Sequence, residues 1–340
     1  MSTLFVDRRG ADIDAEGDTI VVRAEGERKG TVPLKPLERV VVKGSARLTT
    51  RLLTKLVEHG IGLLVLGGRT HKPGATLIGR PSADTSLRLA QASLLGFEPA
   101  RATIAQTMVL AKVKGQIELL REAETTRGRS LELNRGIERL SAALEEISSP
   151  NPDRSRLRGM EGAAAAAYFA AFTTLFAPAL AFQGRNRRPP RDPVNACLSL
   201  GYTLLHFDAV REAASVGLDP LVGVYHDIAP GRESLACDLA EPFRVAVDRM
   251  VLRLFAENEL RVEHFSTNAE GCLMGKAGRR TFYAAYEQTA VDHRRALARL
   301  ARDIAHVIRA GAPSAAIAAL EPGRKVEEGD EAPEDMDHRL

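Results

Sequence analysis

The sequence predicts an α+β protein: a small N-terminal β domain with one helix, followed by a larger all-α domain. Three observations predict it. Up to about residue 80 the apolar residues fall in short β-rich runs between turn-forming pieces. From Leu87 onward they recur three and four apart, the helical spacing. A chain of 340 residues also exceeds the length over which one hydrophobic core usually keeps growing. The expected division is residues 1–85, residues 86–320 and a terminal stretch 321–340.

The strand candidates are TLFV (3–6), TIVVR (19–23), ERVVVKG (38–44), GIGLLVL (60–66) and ATLIG (75–79). One helix interrupts them, with Thr49 or Thr50 as its cap, Leu52, Leu53, Leu56 and Val57 on one face, and Gly60 at its end. Helical spacing then covers 87–95, 99–126, 131–147, 155–176, 194–216, 241–257 and 280–310, with no strand run of comparable quality between them. The last twenty residues lack any apolar cluster able to offset ordering entropy, and an acidic disordered tail is expected there.

No run is long enough for a membrane span, and charges arrive by Asp7, so neither a signal peptide nor a membrane partner is expected; cytoplasmic residence follows. Cys197, Cys237 and Cys272 are odd in number and form no CxxC, which argues against a disulfide framework or zinc ribbon and for free thiols. The net charge of +3 hides an asymmetry. The last twenty residues carry eight acidic and three basic side chains, which leaves +8 on the 320 before them. That surplus suits a polyanionic partner.

The chemistry concentrates in GLDPLVGVYHDIAPGRESLACDLAEPFR (217–244). His226 follows an apolar run, and Asp238 and Glu241 stand 12 and 15 residues after it. Such a mixture of oxygen and nitrogen donors suits a hard or borderline divalent cation. Glu161 adds a third carboxylate, on a stripe otherwise made of Leu157, Ala165, Tyr168, Phe172 and Leu175, where burial needs a compensating cation, metal or proton. Each has a plainer alternative. Glu161 can pair with Arg158 at the edge of the stripe, His226 can be a hydrogen-bonded core histidine, and Asp238-x-x-Glu241 reads as a capping box, although Pro242 biases Glu241 away from helix. Arg154, Arg156 and Arg158 precede Glu161. A second cluster, Arg185, Arg187, Arg188 and Arg191, sits in GRNRRPPRD, a proline-bearing loop whose guanidiniums could grip phosphates; Arg279 and Arg280 after GKAG are a weaker case.

Four of these segments carry a resemblance: MEG (160–162), FQGRNRRPPRDPVNACLSLGYTLL (182–205), GLDPLVGVYHD (217–227) and LACDLAEPFR (235–244). With VPLKPLERVVVKG (32–44) and EHGIGLLVL (58–66), they resemble the CRISPR-associated adaptation integrase family of metal-dependent endonucleases. The resemblance implies a β domain for dimerisation and DNA contacts joined to a helical catalytic domain, a homodimer, and a larger assembly with the small second CRISPR adaptation protein. It implies cleavage and strand transfer on DNA, in which the 3′-hydroxyl of a foreign fragment attacks a phosphodiester at the repeat boundary of a CRISPR array. The family's metal-binding positions match Glu161, His226 and Glu241, with Asp238 as a further acidic candidate, and Mn²⁺ or Mg²⁺ is the expected cofactor. Arg185, Arg187, Arg188 and Arg191 become the DNA-binding surface. Val245 departs from the family, which commonly has Pro there. Two other readings stay open: a non-integrating metal-dependent DNA nuclease, and a DNA-binding scaffold whose carboxylates merely cap helices.

Overall fold

A computed structural model describes residues 2–67, 72–150, 153–186, 189–269 and 271–322. The N-terminal part runs β1 (Ser2–Val6), β2 (Ala11–Glu16), β3 (Thr19–Ala24), β4 (Glu27–Pro33), β5 (Leu37–Lys43), β6 (Ala46–Leu48), α1 (Thr50–Glu58), β7 (Gly62–Gly67) and β8 (Lys72–Leu77). They form two four-stranded sheets, of order β1-β5-β7-β8 and β4-β3-β2-β6. In the first, β1, β5 and β7 are parallel and β8 is antiparallel. Every expected strand run falls largely within a strand, and β2, β4 and β6 are additional. In β2 the alternation is complete, with Ala11, Ile13 and Ala15 buried, but the acidic residues between them mask its apolar character. The exposed edge strand β4 is polar because only β3 pairs with it.

The helical part comprises α2 (Thr85–Leu94), α3 (Glu98–Arg127), α4 (Leu131–Ile147), α5 (Arg154–Thr173), α6 (Pro193–Ser215), α7 (Ser234–Ala240), α8 (Arg244–Ala256), β9 (Phe265–Asn268), β10 (Gly271–Met274), α9 (Lys276–Arg309) and α10 (Ser314–Ala318). Short side chains start many of them. Thr49, Asp84, Ser130, Asp153 and Asp192 each accept a hydrogen bond from the backbone N–H three residues on. The expectation of an all-helical second part is corrected by the antiparallel hairpin β9–β10. Its strands are four residues each and its pairing is fixed from outside: Cys272 N–H donates to the Pro190 carbonyl at 2.7 Å. GKAG opens α9, with Gly275 as its N-cap, and Arg279 pairs with Asp7 at 2.6 Å.

The first sheet is a wall between two cores. Val40, Val42 and Leu63 pack with Leu52 and Leu56 of α1, whereas Val41, Leu64 and Leu66 pack into the helices, as a strand period of two dictates. A buried ion cluster crosses the wall. Asp208 of α6 takes the guanidinium of Arg39 from β5 on one oxygen; on the other it takes Arg294 of α9 at 2.9 Å and the Tyr286 hydroxyl at 3.2 Å. The cysteines are free, with Cys197 and Cys272 buried and Cys237 half-buried. Among the described residues no helix is long and apolar enough to cross a membrane. Of the expected acidic tail, residues 323–340 lie outside the described residues.

Candidate metal centre

The loop between α6 and α7 carries His226, and its backbone is held from three sides. From α2, the buried Gln91 amide donates to the carbonyls of Asp219 and Val222 at 3.0 and 2.8 Å and accepts from Asp219 N–H at 2.8 Å. From α5, Arg154 and Arg158 each donate to the Tyr225 carbonyl at 2.9 Å and both pair with Asp227. From α7, Asp238 accepts the N–H groups of Val224, Tyr225 and His226 at 2.7, 2.9 and 3.0 Å. Gly223 makes room for this, since a Cβ there would lie 2.5 Å from the His226 carbonyl oxygen and 3.0 Å from Asp238 Oδ2.

Asp238 is therefore no helix cap. It lies inside α7, which starts four residues before it at Ser234, and the capping-box alternative falls. Its fourth bond is to His226 Nδ1 at 2.6 Å. A buried carboxylate facing Nδ1 holds the ring proton there and leaves the Nε2 lone pair available to a ligand. With both oxygens engaged by four donors, Asp238 orients the histidine and has no oxygen left over for a cation.

Glu241 sits in a one-turn 3-10 segment, Glu241–Phe243, that joins α7 to α8. It is right-handed helical despite the following Pro242, so the expected bias away from helix is overridden by the flanking helices. Glu161, on α5, does not pair with Arg158. Its Oε1 accepts from Lys112 of α3, and its Oε2 lies 3.3 Å from the Tyr225 hydroxyl. The same Lys112 ammonium pairs with Glu241 Oε2 at 2.7 Å, and Arg244 reaches Glu241 Oε1 at 3.0 Å. Burial alone would raise the proton affinity of Glu241, but Arg244, Lys112 and His226 outweigh it and bring the carboxyl down to about 2.

The structure thus gathers the four sequence-derived candidates in one neighbourhood. Glu161 and Glu241 meet across Lys112, His226 and Asp238 are hydrogen-bonded, and Tyr225 links the two pairs. Among the described residues no three His, Cys, Asp or Glu side chains already enclose a cation position. The donor set nonetheless fits one. Glu241 Oε2 is buried and held by the Lys112 ammonium alone, Glu161 Oε2 has one long contact, and a neutral His226 with its proton on Nδ1, toward Asp238, offers Nε2 as a ligand.

The arginine loop abuts this cluster. Arg185 donates to Asn195 Oδ1 at 2.8 Å and Ser199 Oγ at 3.1 Å and lies over the Tyr202 ring at 5.3 Å; Arg244 covers the same ring at 4.8 Å. Arg185 is therefore half-buried and committed to shaping the loop, which Asn195 closes by donating to the Gly184 carbonyl at 2.8 Å. Arg191 is exposed, and Arg187 and Arg188 lie outside the described residues. Sequence reasoning missed Lys112 and Gln91. The signal for Lys112 was the one that exposed Glu161: a charge on a buried stripe, here with Ala105, Met108, Gln116 and Leu119.

Comparison with known proteins gives the family and the fold. Residues 4–288 match the family described as CRISPR associated protein Cas1. The chain is similar to CRISPR-associated endonuclease Cas1 1 of Thermodesulfovibrio yellowstonii, 41% identical over 85% of this chain and 91% of that one. In fold it is similar to a casposase bound to integration product, with a TM-score of 0.78 at 21% identity over 91% of both chains. It is also similar to a chain of a Cas6-RT-Cas1–Cas2 complex, with a TM-score of 0.77 at 22% identity over 91% of this chain and 35% of that one.

Proposed function

Since the chain belongs to the CRISPR-associated Cas1 family, we propose that it is a metal-dependent DNA endonuclease and integrase that inserts foreign DNA fragments into a CRISPR array. The observation that carries this reading is the convergence of Glu161 and Glu241, 80 residues apart, on one buried cationic centre beside a histidine whose free nitrogen Asp238 has selected. Glu161, His226 and Glu241 would hold Mn²⁺ or Mg²⁺, with Asp238 positioning His226. Held by these residues, such an ion would supply Lewis acidity at a phosphoryl oxygen and offset the charge on the leaving oxygen.

The protein's own charges complete the electrostatics. Arg244 offsets one of the two carboxylate charges of Glu161 and Glu241, so a divalent ion held by them would leave the centre net positive, as a phosphodiester needs. Arg187, Arg188 and Arg191 would grip DNA phosphates on the adjacent loop, and Arg185 would hold that loop in shape. Attack of a 3′-hydroxyl on phosphorus forms one phosphodiester for each one broken, so no nucleotide is consumed. The fold likeness to a casposase bound to integration product and to a Cas1–Cas2 assembly supports DNA and a second adaptation protein as partners; a homodimer would follow from the family resemblance alone.

Nicking and strand transfer measured for Glu161→Ala, His226→Ala and Glu241→Ala, with fragments bearing or lacking a 3′-hydroxyl, test the proposal. Loss of both activities in all three variants, with transfer strictly dependent on the hydroxyl, is expected. Wild-type rates in the variants would end the metal reading, and transfer without the hydroxyl would end the integrase reading.

A further inference from the structure

Lys112 is the one member of this centre that no comparison of donors to a metal site explains. Its side chain is 11% exposed, on the buried face of α3, and it touches carboxylates that enter the sequence 49 and 129 residues later. A buried ammonium on an apolar stripe is costly unless paired. The question is whether this pairing is permanent architecture or one designed to be given up.

The ion cluster at Asp208 shows what permanent architecture looks like in this protein. There the carboxylate is held by two separate guanidiniums and a hydroxyl, Arg39 on one oxygen and Arg294 with Tyr286 on the other, and both guanidiniums are fixed forks. At Lys112 one flexible ammonium serves both carboxylates. It is the partner of Glu241 Oε2 at 2.7 Å and of Glu161 Oε1, while Glu161 Oε2 has only the Tyr225 hydroxyl at 3.3 Å. The cation is also a lysine, a compact charge on a flexible stem that can swing away without repacking a planar group.

We propose that Lys112 is a positioning residue that stands in for the metal: its ammonium holds Glu161 and Glu241 on one centre before the ion binds, and yields that position when the ion arrives. Without it, the buried carboxylate of Glu241 and the half-buried one of Glu161 would repel and part. With it still in place, a divalent ion would enter next to a like charge at contact distance, which is unfavourable by several-fold to many-fold in affinity. This inference rests on the metal-site reading above.

The test is Mn²⁺ titration calorimetry and thermal melting, with and without Mn²⁺, on the full chain as wild type, Lys112→Met and Lys112→Arg. Lys112→Met is expected to melt below wild type when metal-free, to recover most of that loss in Mn²⁺, and to bind Mn²⁺ at least about tenfold more tightly because no ammonium must be displaced. Lys112→Arg is expected to keep the metal-free melting temperature and bind Mn²⁺ more weakly than wild type. If Lys112→Met fails to fold without metal, Lys112→Gln carries the same comparison. Wild-type Mn²⁺ binding with unchanged or weaker binding in the neutral variants overturns the stand-in role alone. Absence of Mn²⁺ binding to the wild type as well removes the metal-site reading and this proposal with it.

Discussion

Replacing Asp238 by asparagine isolates the residue that fixes the histidine without touching any candidate ligand. The carboxylate accepts from three backbone N–H groups at 2.7, 2.9 and 3.0 Å and from His226 Nδ1 at 2.6 Å, and it is fully buried. An asparagine keeps one acceptor oxygen and turns an NH₂ group toward two of these four donors. Two hydrogen bonds to a charged group are lost, at about 1.5–3 kcal/mol each, so a stability loss of about 3–6 kcal/mol is expected. If the NH₂ faces His226, the ring must accept at Nδ1 and carry its proton on Nε2. If it faces Val224 and Tyr225, the loop that carries the ring loses its anchor. Either way Mn²⁺ affinity should fall about 10–100-fold, the usual effect of losing such a partner. Denaturant unfolding and Mn²⁺ calorimetry on Asp238→Asn measure the two quantities. A wild-type unfolding midpoint together with Mn²⁺ affinity within about twofold would refute the argument that Asp238 selects the histidine's free nitrogen.

Two further predictions concern pH. Burial works to raise the proton affinity of Asp208, but Arg39, Arg294 and His293 outweigh it and hold the carboxyl at about 2. A depressed carboxyl stabilises above its unfolded value near 4 and loses that contribution as pH falls through about 2, a difference of roughly 2–3 kcal/mol. Asp208→Asn should cost about 3–5 kcal/mol at pH 7 by stranding two buried guanidiniums, and should flatten the acid limb of urea-unfolding stability; an acid limb as steep as wild type would count against it. Asp248 behaves oppositely. Burial lifts it to about 6 even though the hydroxyls of Tyr202 and Tyr168 donate to it, so its contribution is full below about pH 4 and is lost as pH rises through 6. Asp248→Asn, which can retain both tyrosine contacts, should stabilise by about 2–3 kcal/mol above pH 7 and not at all below pH 4; a stabilisation independent of pH would contradict the assignment.

The fold was largely legible because its signals are local. The start of α1 was marked by Thr49, whose side chain bonds within its own first turn, and the helical spacing from Leu87 onward marked the longer helices. Strands with apolar runs on both faces, such as β5 and β7, were visible because the sheet is buried between two cores. What escaped had no local signature. Strand β4 is polar because it is an edge, and the hairpin β9–β10 exists where Gly271, at φ +119°, lets the backbone approach Pro190.

By itself, the sequence determined the order of β-rich and helical parts and the residue types at positions 161, 226, 238 and 241, since periodicity, capping and a misplaced charge are written in neighbouring residues. Tertiary structure alone decided the roles. The Asp238-x-x-Glu241 spacing was equally good as a capping box, and only the earlier start of α7 at Ser234 turned Asp238 toward the His226 loop. Likewise Lys112 became the partner of Glu161 and Glu241 because α3, α5 and the α7–α8 junction pack together. Which distant charges meet depends on how whole helices bury their apolar faces, and no stretch of neighbouring residues encodes that.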